Sequence, residues 1–344
     1  MKLDFLWAEL PILQAPMAGV QGSELAIAVS NGGGLGSLPC ALLSREALHA
    51  ELASIRSKTD KPFNVNFFCH APPPIDAVRE AAWRSILAPY YQELGITCDN
   101  ATTAPARTPF SAEAADVLEE FRPPVVSFHF GLPSRALLAR VKAWGSQVLS
   151  SATTVDEARW LERHGADAVI AQGLEAGGHR GHFLSEDLTT QAGTFALLPQ
   201  IVRAVRLPVI AAGGIADARG VAAAMSLGAA AVQIGTAYLL CPEATTSQVH
   251  RAALKSERAC HTALTNLFTG RPARGIFNRL MNELGPLSPH APSFPLASAA
   301  LAPLRAAAER LGRGDFSPLW CGQNPDGCRE ISAARLTREL AGMS

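Results

Sequence analysis

Pro208-Val-Ile-Ala-Ala-Gly-Gly-Ile215, then Asp217 and an alanine-rich stretch over 218–227, then Ala231-Val-Gln-Ile-Gly-Thr236, read as one strand–helix–strand unit. Both apolar runs are short and end in glycine, which suits buried strands better than helices. Between them, Asp217 is placed to accept a backbone N–H as the N-cap of a helix over 218–227. Strands joined by a helix pair in parallel through a right-handed crossover. The same rhythm recurs upstream at Ile12-Leu-Gln-Ala15, Leu35-Gly-Ser-Leu38 and Phe63-Asn-Val-Asn-Phe67. It continues at Val125-Val-Ser-Phe-His129, Gln147-Val-Leu-Ser150 and Ala168-Val-Ile-Ala171. Eight such units predict an α/β chain closed into a (β/α)8 TIM barrel. A doubly wound sheet would carry GxGxxG after its first strand, where Pro16-Met-Ala-Gly19 offers a single glycine.

Two stretches break the rhythm. Residues 69–124 separate the third and fourth strands and include Ala71-Pro-Pro-Pro74 and a threonine- and proline-containing run over 102–109. A structureless loop of that length is uncommon, so helices are expected over 76–94. After residue 258 the pattern changes to Arg271-Pro-Ala-Arg-Gly275 and a proline-rich stretch over 286–295. The expected division is a barrel over 1–258, a smaller C-terminal substrate-capping domain over 259–327, and a terminal helix within 328–344 packing back on the barrel.

Bulk composition excludes several classes. The 344 residues carry a formal charge of +0, so no basic footprint for nucleic acid is present. A hydrophobic fraction of 48% supports an extensive core rather than disorder. The start lacks a basic region followed by a long apolar one, which argues against a secretory signal. The stretch over 221–240 is apolar enough to suggest a membrane span, but Gly228 and Gly235 split it into a helix and a short strand. Seven cysteines without paired CxxC spacing suggest reduced thiols and a cytoplasmic enzyme.

Chemistry concentrates at the predicted strand ends. Gln172-Gly-Leu-Glu-Ala-Gly-Gly-His179 places a histidine on a loop nearly bare of side chains, where a flat ligand can approach the backbone. Gly213, Gly214, Gly235 and Thr236 follow the last two barrel strands, where such barrels commonly bind phosphate through backbone N–H groups. Asn64 and Asn66 share one face, expected to be the barrel interior. Gln14, Gln172 and Gln233 occupy comparable positions, and Ile234 sits between two of these groups. His129, ending the fourth strand, is a candidate to face substrate. His179 and His182 have HxxH spacing with no third ligand, so no metal is expected.

Taken in order, these segments resemble the nitronate monooxygenases, formerly 2-nitropropane dioxygenases, of the bacterial and fungal class I type. The matching pieces are Gln14-Ala-Pro-Met-Ala-Gly19, Phe63-Asn-Val-Asn-Phe67, Ser127-Phe-His-Phe-Gly131 and the run 172–181. Ala212-Gly-Gly-Ile215, Gln233-Ile-Gly-Thr236, Gly270-Arg-Pro-Ala-Arg-Gly275 and Leu319-Trp-Cys-Gly-Gln323 extend the match along nearly the whole chain. The resemblance implies noncovalent FMN and oxidation of alkyl nitronates, or of nitroalkanes, by O2 to carbonyl compounds and nitrite through single-electron transfer to flavin. Cofactor contacts would come from Met17, Asn66, Gln172, Gly177, Gly178, Gly213, Gly214, Gln233, Ile234, Gly235 and Thr236. His179 would be the active-site histidine, acting as a base or, when protonated, as an electrostatic stabiliser, with His129 and Phe294 facing substrate. Tyrosines are frequent in the family's pocket, whereas this chain has Ser293-Phe294-Pro295 there and a further Tyr238 just past strand eight. Two other readings stand beside it: an FMN-dependent enoyl-acyl-carrier-protein reductase using NAD(P)H, and a flavin-binding accessory protein without turnover. A monomer or homodimer acting on small molecules, without nucleic acid or membrane, fits all three.

Overall fold

The computed structural model describes residues 8–97 and 107–343. In chain order the strands are β1 (Ile12–Gln14), β2 (Gly36–Pro39), β3 (Phe63–Phe68), β4 (Val125–His129), β5 (Gln147–Ala152) and β6 (Ala168–Gln172). A two-residue β7 (Gly178–His179) precedes β8 (Val209–Ala212) and β9 (Ala231–Ile234), and β10 (Thr262–Thr265) and β11 (Ala273–Ile276) complete the set. Eight of these form one parallel sheet in the order β1-β9-β8-β6-β5-β4-β3-β2. Its two edges meet. Leu35 N–H donates to the Ile12 carbonyl at 2.8 Å and Gln14 N–H to the Leu35 carbonyl at 3.0 Å, so the sheet closes into a TIM barrel. Each of the eight barrel strands matches a short run picked out in the sequence, because barrel strands are buried on both faces and rich in apolar residues.

Helices alternate with the strands: α1 (Ser23–Asn31), α2 (Arg45–Lys58), α3 (Ala77–Glu93), α4 (Ala112–Phe121), α5 (Arg135–Ala143) and α6 (Val155–Arg163). They continue with α7 (Thr194–Ala204), α8 (Ala218–Ser226), α9 (Gln248–Leu254), α10 (Arg279–Leu284), α11 (Ala297–Arg310) and α12 (Ala333–Leu340). Side-chain caps start many of them as the sequence suggests; Asp217 accepts the Gly220 N–H at 2.7 Å at the head of α8. Leu13, Leu35, Leu149, Ile170 and Ile210 fill the barrel interior, while a larger apolar cluster seals the outer helices onto the strands. The apolar stretch over 221–240 becomes α8, β9 and a short 3-10 turn. No helix among the described residues is long and apolar enough to cross a membrane.

Three tertiary arrangements are not visible as sequence patterns. Helix α3 falls inside the stretch 1–258 read as barrel. Yet Trp83, Leu87, Tyr90 and Tyr91 pack with Leu280, Leu301, Leu304 and Phe316 in one core of α3, α10 and α11. The capping region therefore draws a helix from the β3–β4 insertion, whose 98–106 portion lies outside the described residues. Next, β10, β11 and β7 form a separate antiparallel sheet, with Gly178 opposite Arg274 and His179 opposite Ala273. Finally, α12 returns to α1 and α8, where a Cβ on Gly32 would lie 2.9 Å from the Ala334 backbone. Tyr238 is fully buried there, its hydroxyl paired with Thr337 Oγ1 at 2.9 Å, so it packs the barrel wall rather than facing a ligand.

Candidate active site

A cavity of about 1350 Å³, counted up to its open mouth, lies at the C-terminal ends of the barrel strands. That end is where barrel enzymes build their sites, because the strand-to-helix loops converge there. Met17, Asn66, Gln172, Gly177 and Gly178 line it, as do Gly213, Gly214 and the run Gln233, Ile234, Gly235, Thr236. His129 and His179 line it too. Phe294 stands behind the lining, its ring 5.3 Å from that of His179. Gln14 is buried below, where Oε1 accepts the Ser37 N–H at 3.0 Å and Nε2 donates to Gln21 Oε1 at 2.6 Å. It braces β1 against β2 and does not line the cavity.

The loop after β6 is held in shape by side chains that sequence reading pointed at ligands. Gln172 Oε1 accepts the Gly181 N–H at 2.8 Å, and Nε2 donates to the His179 carbonyl at 3.0 Å. Its amide thus buckles the loop, and the residue also lines the cavity where a cofactor contact was expected. His129 was expected to face substrate, but both ring nitrogens are used within the protein. Nε2 donates to the His179 carbonyl at 3.2 Å, leaving Nδ1 to accept the Ser151 hydroxyl at 2.9 Å. Burial holds the His129 pKa down at about 3, so it braces the loop as a neutral ring.

His179 sits where this bracing converges. Nε2 is 3.0 Å from Thr269 Oγ1, and the ring is flanked by Phe294, by Trp320 at 5.5 Å and by Phe68 at 6.1 Å. Burial, then the Arg107 guanidinium, keeps its pKa well below the usual imidazole value. That environment favours the neutral imidazole, the form that the base alternative requires. A neutral ring can accept a proton. Arg271 lies over the Phe130 ring at 4.1 Å and donates to the His182 carbonyl. Among the described residues no three His, Cys, Asp or Glu side chains gather as metal ligands.

At the β8 and β9 ends, Gly213 and Gly214 have φ of +121° and +73°, a region side chains disfavour. The N–H groups of Gly214, Gly235 and Thr236 have no hydrogen-bond acceptor among the described residues. Thr236 Oγ1 accepts the Gly322 N–H at 2.9 Å, which leaves its hydroxyl hydrogen to donate elsewhere. Gln233 Oε1 is buried without a partner among the described residues. Inside the barrel, Asn66 Nδ2 donates to Ser127 Oγ at 2.9 Å and Asn64 Nδ2 to Ser37 Oγ at 3.0 Å. Sequence reading missed Arg107, Trp320, Phe68 and Thr269. Trp320 lies in a quoted segment, but nothing local signals that it reaches His179.

A family model described as nitronate monooxygenase matches residues 1–342. A nitronate monooxygenase of Pseudomonas aeruginosa is 45% identical over 97% of this chain and 96% of its own. The solved nitroalkane oxidase of Streptomyces ansochromogenes superposes with a TM-score of 0.89 at 40% identity, covering 98% of this chain and 96% of that one. FabK from Thermotoga maritima is more distant, with a TM-score of 0.72 and 30% identity over 98% and 94% of the two chains. A cavity at the barrel mouth, the ordered motifs around it and near full-length identity agree, and the chain belongs to the nitronate monooxygenase family.

Proposed function

We propose that the protein oxidises alkyl nitronates, and nitroalkanes once deprotonated, with bound FMN and O2, giving carbonyl compounds and nitrite. The observation that carries this reading is the charge of the cavity. Its described lining contains no Asp or Glu, and Arg107 is its one ionised side chain beside neutral histidines. An anion enters such a site without repulsion, and a half-buried arginine with no carboxylate partner among the described residues favours one.

The residues present fit FMN. Orphaned Gln233 Oε1 needs a donor of the kind a flavin ring supplies, and buried polar atoms rarely stay unpaired. The free N–H groups of Gly214, Gly235 and Thr236 suit a phosphate. A Cβ on Gly178 would meet nothing within 4 Å, so open space lies against that backbone. Met17, Asn66, Gly177, Gly213 and Ile234 complete the holding surface, while Gln172 acts by shaping the loop. FMN, when bound, supplies the electron acceptance and oxygen chemistry that side chains lack. The protein's own part is to bind the anion near Arg107, to exclude water with Phe68, Phe294 and Trp320, and to take the α-proton of a neutral nitroalkane on His179.

Oxygen uptake by purified, FMN-bearing protein, with an alkyl nitronate and no nicotinamide, tests the reading. Turnover is expected. Its absence, together with NADH-dependent reduction of an enoyl thioester, transfers the site to reductase chemistry.

A further inference from the structure

We propose that Thr269 is a positioning residue that sets the tautomer of His179, placing the hydrogen on Nε2 and presenting Nδ1 to substrate as the base. The inference rests on the nitroalkane reading of the site. Thr269 lies between β10 and β11 and is 1% exposed. Its Oγ1 is 3.0 Å from His179 Nε2, and the same hydroxyl donates to the Arg271 carbonyl at 3.4 Å. A hydroxyl has one hydrogen, and a carbonyl can only accept. With that hydrogen on Arg271, Oγ1 accepts from His179, so Nε2 carries the ring's proton. Nδ1 then keeps its lone pair, and no group among the described residues bonds to it.

The surroundings hold this arrangement. The His179 carbonyl is fixed by two donors, Gln172 Nε2 and His129 Nε2, and β7 is paired to β11, from whose approach Thr269 projects. Phe294 and Trp320 wall the ring, so Nε2 stays turned to the cap and Nδ1 to the cavity. The cap thus contributes to proton transfer without touching substrate, through a side chain 90 residues from the histidine. A tautomer set by the partner of the second ring nitrogen is a general property of functional histidines.

The test compares a neutral nitroalkane, which must lose a proton, with its preformed nitronate, which need not. Thr269→Val is expected to lower kcat on the nitroalkane by about a hundredfold, the usual scale of general-base catalysis. Its nitronate kcat should stay within about twofold, and Thr269→Ser should restore nitroalkane turnover. Nitrogen-15 NMR of labelled holoenzyme, with His179 assigned by its loss in His179→Asn, should show Nε2–H in the wild type and mixed tautomers in Thr269→Val. Equal losses on both substrates, full nitroalkane activity in Thr269→Val, or an Nδ1–H tautomer in the wild type would each overturn the proposal. If the wild type fails to oxidise nitronate, the functional reading falls, and the NMR tautomer alone decides the role of Thr269.

Discussion

Replacing Gln172 with methionine separates two roles for one side chain, loop brace and cofactor contact. Methionine nearly keeps the volume and removes both polar ends. The buried Gly181 N–H loses its acceptor, at a cost of about 1–3 kcal/mol for an unpaired buried donor. The His179 carbonyl loses one of two donors, which adds about 0.5–1.5 kcal/mol, since His129 still reaches it. The expected destabilisation is about 2–4 kcal/mol in protein stripped of cofactor. For a chain of 344 residues the unfolding entropy is roughly 0.7 kcal/mol per kelvin, so Tm should fall by about 3–6 °C. Thermal unfolding of apoprotein, followed by circular dichroism, measures this with no ligand to shift the transition. Nitronate turnover should fall as well, because the loop that carries His179 loosens. An apo Tm within a degree of wild type, combined with a large loss of FMN affinity, would refute the bracing role and restore the direct contact.

Arg107→Met should raise KM for an anionic nitronate by on the order of tenfold or more, the scale of one hydrogen bond to a charged group, measured by oxygen uptake. An unchanged KM would remove Arg107 from substrate binding. Gly178→Ala should cost about 1–2 kcal/mol of stability through its φ of +72°, and should weaken FMN binding further because its methyl enters open cavity space. Flavin titration checks the second effect, and unaltered affinity would place the cofactor elsewhere. Stability should also fall below neutral pH. His129 and His250 have folded pKa values held by burial at about 3 and about 4, against about 6.5 unfolded, and His179 is lowered likewise. The unfolded state alone takes up these protons as pH drops through about 6.5. Each such histidine then removes up to about 1.4 kcal/mol per pH unit until its folded value is reached. Tm measured at pH 7.5 and 5 should show the decline, and equal values would contradict neutral burial.

Much of the molecule is legible in the chain because its signals are local. A barrel strand is buried on both faces and reads as a short run rich in apolar residues, so β1 to β6, β8 and β9 announce themselves within about two residues of their observed positions. Glycine marks backbone conformations that side chains disfavour, so Gly178, Gly213 and Gly214 can be found without coordinates. His179 follows from the loop that carries it.

Other features depend on partners distant in sequence. Two residues of β7 are too few to carry a period, and their pairing with β11 exists only because the cap folds over the mouth. Helix α3 has an apolar face like any barrel helix, and only the docking of α10 and α11 decides which core it enters. Gln172 and His129 were correctly placed at strand ends. That both also reach the His179 carbonyl, at distances of about 3 Å, is something no spacing encodes. The sequence by itself determined the barrel, its glycine-rich mouth and the histidine at it, because hydrophobic periodicity and backbone freedom are written residue by residue. The charge and tautomer of that histidine were decided only by tertiary structure, since both depend on burial and on Arg107, Thr269 and Trp320 brought together from separate parts of the chain.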